Sequence, residues 1–316
     1  MRASQSIVLP LIAAQASAHG VVTMIRGANG VDMPGLSVAD GTPRDCSTNR
    51  CGSQADTAII RDREIRSGEV GPLGRTQGNG PIDPAVMITT FMGTANGPAP
   101  TNNGSASAVG VEDDLGALAG GRRGGGRNQN NKREAAPTGG FMKTYPRQFL
   151  QGLFGGGRGG GGTASAAATE TNVAALAGEG ASSGLPTCGD DGSIEMVFHQ
   201  INQDGAGPLT AEVDATSGGT DPGAFQRAEV TQDVPGLGFQ GISLATSRDF
   251  PLTVQMPAGM TCEGTVAGVD NVCIVRVRNG AAAGPFGGSA AFTQSPAARK
   301  RAIAFRMKKR AAAFQA

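Results

Sequence analysis

The chain has two histidines, His19 and His199, and they are its best candidates for chemistry. Arg2, the apolar run from Ile7 to Ala14 and the small triplet Ala16-Ser17-Ala18 have the form of a secretory signal with its cleavage site. Cutting after Ala18 makes His19 the first residue of the mature chain. An N-terminal histidine offers two metal-capable nitrogens, its α-amine and its imidazole. With His199 the set becomes three nitrogens in a T-shape, a geometry suited to copper, with open positions for oxygen or peroxide. The competing reading leaves His199 as a polar residue at a strand end and His19 as the residue after a cut.

Other catalytic arrangements fail on residue type. Gly241-Ile242-Ser243-Leu244-Ala245 is the nearest approach to the GxSxG of a serine hydrolase, and it ends in alanine. Gly74 to Gly80 is glycine-rich but lacks the Gly-Lys-Ser/Thr of a phosphate loop, so it reads as a turn. Asp190-Asp191 and Asp204 read as turn and cap residues, because spacing alone cannot identify a glycosidase acid pair. The cysteines are Cys46, Cys51, Cys188, Cys262 and Cys273, without the paired CxxC spacing of a zinc site. Export makes disulfides their default use, with local pairs Cys46–Cys51 and Cys262–Cys273 and one thiol left over.

The elements that must hold the two histidines are strands. Val21, Thr23 and Ile25 alternate with Val22 and Met24, a strand starting directly after His19. Ile194, Met196 and Phe198 alternate with Glu195, Val197 and His199, which turns His199 away from the Ile/Met/Phe face. Leu209 to Val213, Leu252 to Met256 and Cys273 to Val277 repeat the pattern between Gly/Pro-rich turns. Together they predict a mainly β fold, an immunoglobulin/fibronectin-like β-sandwich with short helices. Asp83-Pro84 caps one of these, with Ala85, Ile88, Phe91 and Met92 at helical spacing. Arg61-Asp62-Arg63-Glu64 reads as a solvated charge run.

Composition divides the chain. Residues 1–18 are the signal, 19–100 and 187–295 are two arms of one domain, and 296–316 form a basic tail expected to fray. Residues 101–186, rich in Gly, Ala, Asn and Arg, cannot bury enough apolar surface to order themselves and are expected to be a flexible, disordered insertion. It holds an Asn103-Gly104-Ser105 sequon, the only tyrosine (Tyr145), and a dibasic Lys132-Arg133 that fits either a kexin-type processing site or a solvated pair. Net charge is +1, and zero once Arg2 leaves with the signal, so no bulk attraction to nucleic acid or anionic membrane is expected. After residue 18 no apolar run approaches 20 residues, so no transmembrane segment is expected.

Three blocks carry a family resemblance: His199-Gln200-Ile201-Asn202-Gln203-Asp204-Gly205, Cys273-Ile274-Val275-Arg276-Val277-Arg278-Asn279, and Gly284-Pro285-Phe286-Gly287-Gly288. With His19-Gly20-Val21-Val22, Pro43-Arg44-Asp45-Cys46 and Leu73 to Pro81, they resemble the fungal appressorial virulence factors, the Egh-type or Mas/Gas-type secreted proteins. That resemblance implies export and a role at the infection structure, without a defined biochemical activity. A weaker similarity is to the copper lytic polysaccharide monooxygenases, which share a signal ending at histidine, a β-sandwich and a histidine brace. It implies copper on His19 and His199, Phe292 at the axial position and Gln294 as its polar neighbour. The absence of Trp departs from that group, whose sugar-binding faces are aromatic. The expected function is a secreted virulence-associated protein meeting a fungal or host cell-wall polysaccharide or another host surface component. The alternative is a copper monooxygenase acting on a wall or cuticle polymer.

Overall fold

Segments that alternate apolar and polar side chains can bury one face as strands, and two such faces closing on each other make a core. The computed structural model describes residues 19–102, 162–165, 168–203, 205–236, 245–281 and 283–314. One layer runs, in hydrogen-bonded order, β2 (Asp32–Pro34), β1 (Gly20–Arg26), β7 (Ser193–Gln200) and β10 (Arg248–Gln255). The other runs β8 (Thr210–Asp214), β12 (Val269–Arg278), β13 (Phe286–Phe292), β3 (Ala58–Ile59), β4 (Arg75–Thr76) and β5 (Gly80–Pro81). Strand β9 (Phe225–Gln232) belongs to both: its first half pairs with β8 and its second half with β10. It is the corner at which one antiparallel sheet curls into two layers. The small strands β6 (Thr163–Ala164) and β11 (Gly264–Val266) extend β10 and β12.

The two layers share one core, in which Phe198, Leu252 and Val254 of the first meet Val213, Ile274 and Phe292 of the second. They come close together at Gly288 of β13, where a Cβ would come within 2.7 Å of the Val22 nitrogen of β1. Only glycine fits there. The expected mainly β sandwich is therefore what forms, and residues from both arms build it.

The α-helices among the described residues are α1 (Asp62–Ser67), α2 (Pro84–Met92), α3 (Asn172–Ala175), α4 (Gly180–Ser183) and α5 (Pro296–Phe314). Helix α2 starts as expected: Asp83 accepts from the Ala85 N–H at 2.9 Å and Pro84 follows. The local disulfides Cys46–Cys51 and Cys262–Cys273 are present, and Cys188 is a buried free thiol.

Three local expectations need correction. The charge run at 61–64 is only partly a solvated face: Asp62 and Arg63 are exposed, but Glu64 of α1 is buried between Arg61 (3.0 Å) and Arg75 (3.1 Å). The segment before Pro186 is not all insertion: β6, α3 and α4 pack on the domain, with Val173 buried. The tail is not frayed, since Pro296 to Phe314 form a helix. In each case long-range partners supply what local composition lacks. Residues 103–161, including the sequon, Lys132-Arg133 and Tyr145, lie outside the described residues.

Segment 40–44 ties the chain together on either side of that gap. The Asp40 N–H bonds to Pro100 at 2.9 Å, and Gly41 N–H to Glu170 at 2.9 Å. Beneath it, Arg44 grips Asp56 with both terminal nitrogens (3.0 and 2.6 Å) and Glu170 through Nε at 3.1 Å. Burial would push this guanidinium down, but Asp56 and Glu170 more than offset that and hold it above its ordinary value.

Asp214 closes β8 with a second buried network. Its carboxylate accepts from the backbone N–H groups of Thr216 (2.8 Å), Ser217 (2.9 Å) and Gly219 (2.6 Å), and from the Ser217 hydroxyl. Burial pushes this carboxyl up, and these donors together pull it below its ordinary 3.8. A depressed folded value adds stability above 3.8 that disappears as pH falls through the folded value. Denaturant midpoints should therefore drop in acid, and Asp214→Asn should lower the neutral midpoint while flattening that slope. An unchanged slope in the variant would remove Asp214 from the account.

Candidate metal centre

Strands β1 and β7 place the two histidines. Val21 pairs with His199 and Gly20 with Gln200, and the ladder continues as Ile201 N–H donates to the His19 carbonyl at 3.0 Å. His19 therefore sits opposite Ile201, and His199 is two residues back on the same strand. Diagonal backbone neighbours of this kind lie about 7–8 Å apart. Both side chains are buried, at 1% and 0% exposure.

Each histidine is oriented by partners distant in sequence. The Nδ1 of His199 meets Asp249 Oδ1 at 2.6 Å, across the β7–β10 pairing that sets these two residues opposite each other. Its Nε2 is buried without a hydrogen-bond partner among the described residues. A metal-ligating imidazole commonly has this form, one nitrogen fixed by a carboxylate and the other left for the ion. The His19 nitrogen donates to Asn202 Oδ1 at 2.7 Å. As a free neutral amine it could keep that bond and still present its lone pair. The His19 ring stacks on Phe286, with centroids 4.1 Å apart and planes at 35°. Gly205 shields the same corner: a Cβ there would fall 1.9 Å from the His19 carbonyl oxygen.

The sequence-based neighbours of the pair are elsewhere. Phe292 pairs with Cys273 at the far end of β13, six residues past Phe286 and thus about 20 Å along the strand. Phe286, not Phe292, is the ring against His19. Gln294 is committed to the 256–262 loop, accepting from Cys262 N–H at 3.0 Å and donating to the Met260 carbonyl at 2.9 Å. Among the described residues no group of three or more His, Cys, Asp or Glu side chains is placed to hold a metal.

A family model described as the Egh16-like virulence factor matches residues 17–287, most of the chain and all of this corner. The chain belongs to that family. It is 50% identical over 311 residues to the appressoria-specific virulence factor GAS2 of Pyricularia oryzae, covering 98% of this chain and 95% of that protein. It is also 42% identical over 129 residues to the appressoria-specific virulence factor GAS1 of the same organism, covering 40% of this chain and 50% of that one. No solved structure matches.

Two partners in this Egh16-like corner, Asn202 and Phe286, lie inside the blocks that carry the resemblance, so the signal for them was present but unassigned. Asp249 lies in Ser247-Arg248-Asp249-Phe250, which has no motif. Only the β7–β10 register brings it to His199.

Proposed function

We propose that this Egh16-like chain is a secreted, virulence-associated fungal protein of the infection structure. It holds a copper ion through the amine and imidazole of His19 and Nε2 of His199. The observation that carries the copper reading is His199, with Nδ1 fixed by Asp249 and a buried, unpartnered Nε2 beside the strand that begins at His19. Bound copper would supply redox chemistry toward oxygen or peroxide. Asn202 would orient the amine, and Phe286 would keep water from the His19 ring. Export is supported by the signal-like first 18 residues and by two disulfides. The role at the infection structure is supported by the names of the relatives, and the surface it meets is proposed to be a wall polysaccharide or host component.

Burial of both rings, at 1% and 0% exposure, favours retention of copper over oxidation of a polymer. The test begins with N-terminal sequencing of the secreted protein, which should start at His19. One equivalent of copper(II) should then give a spin-resonance spectrum with nitrogen couplings. One extra glycine before His19, or His199→Ala, should change that spectrum. Identical spectra from all three proteins would end the brace reading.

A further inference from the structure

The near-zero net charge of the chain conceals a strong local asymmetry. Helix α5 carries Arg299, Lys300, Arg301, Arg306, Lys308, Lys309 and Arg310 and no acidic residue. Those seven charges exceed the +1 of the whole chain, so residues 1–295 carry a net −6. The helix is held to the domain along its first three turns, where Arg301 donates to the Asp190 carbonyl at 3.0 Å, Phe305 lies against Gly259 and Arg306 reaches Glu263 at 3.9 Å. Ala298 and Ala302 are buried, the Ser295 hydroxyl accepts from Ala298 N–H at 3.1 Å, and Arg299 donates to Asn271 at 2.8 Å. Every residue from Ile303 to Phe314 is exposed.

That exposed part is strongly basic and carries one apolar stripe, with Phe305 turned to the packed side. Ile303, Met307, Ala311 and Phe314, at i, i+4, i+8 and i+11, fall on one stripe opposite Ala298 and Ala302. Met307 is 66% and Phe314 92% exposed. Arg310 flanks the stripe and Lys300 stands at its N-terminal end, and long basic side chains of this kind can keep their heads in water while their stems lie on an apolar surface. No helix among the described residues is long and apolar enough to cross a membrane, so the pattern is that of a helix lying on a surface.

We propose that α5 is a docking helix for an anionic lipid bilayer, with Ile303, Met307 and Phe314 entering the headgroup boundary and the basic residues meeting lipid charge. Charge complementarity selects an anionic partner, and the apolar stripe selects a bilayer over an acidic polymer, which has no use for buried Phe and Met. This inference is independent of copper, and the helix lies beyond the residues matched by the family model.

The chain has no tryptophan, so Met307→Trp in the full protein is a clean reporter. Its emission should shift blue with vesicles of phosphatidylcholine plus phosphatidylserine and stay put with phosphatidylcholine alone. Co-sedimentation of the otherwise native chain should fall roughly tenfold or more in Met307→Asp/Phe314→Asp and in Lys308→Glu/Lys309→Glu. All four positions are exposed, and an unchanged melting curve confirms that the fold is intact. No blue shift on anionic vesicles would overturn the proposal. So would full binding by the Met307/Phe314 variant, or an equal blue shift with heparin.

Discussion

Arg44→Ala should destabilise the protein by about 3–5 kcal/mol, measured as a shift of the urea unfolding midpoint. The substitution leaves Asp56 and Glu170 buried, at 0% and 4% exposure, with the countercharge gone. Against a typical domain stability of about 5–15 kcal/mol this is a large fraction. The loss comes from uncompensated charge more than from a lost attraction, so neutralising the whole cluster should recover much of it. Arg44→Met combined with Asp56→Asn and Glu170→Gln is therefore expected to be more stable than Arg44→Ala alone. Equal stability of the two proteins would mean that Arg44 acts by packing.

Asp249→Asn should weaken copper binding about 10–100-fold with little change in melting temperature. The Asp249 side chain is 24% exposed, so its replacement leaves no sealed charge behind. Its proposed effect is on the imidazole, because the carboxylate fixes the Nδ1 proton and aims Nε2. His199→Ala in the same titration should abolish the site. If Asp249→Asn binds copper as tightly as the native chain while His199→Ala does not, the carboxylate has no positioning role. If both bind normally, the ligand set is wrong.

What could be read in advance followed the range of the forces involved. Strand β1 after His19, the strand ending near His199, the capped helix after Asp83 and the two short disulfide loops depend on contacts within a few residues, and all are present. Within the charge run at 61–64 only Glu64 escaped the solvated reading, because it is paired with Arg75, eleven positions away, and covered by tertiary packing. The segment after Thr163 looked unable to fold because its own composition is poor. Its order comes from Arg44, from the Asp40 carboxylate at the start of α3, and from the edge of β10. Phe292 was offered only through the monooxygenase resemblance of its block; that Phe286, on the same strand, is the ring against His19 depends on which end of β13 faces β1, and packing decides that.

By itself the sequence determined the β class, the family and the restriction of any nitrogen metal site to His19 and His199. Composition, period-two patterning and a count of two histidines are properties of the chain before it folds. The tertiary structure alone decided the surroundings of those histidines. Asp249 is fifty positions from His199, and Phe286 is farther still from His19. Such pairs are set by strand register and by the curl of the sheet at β9, and neither is written in local residue order.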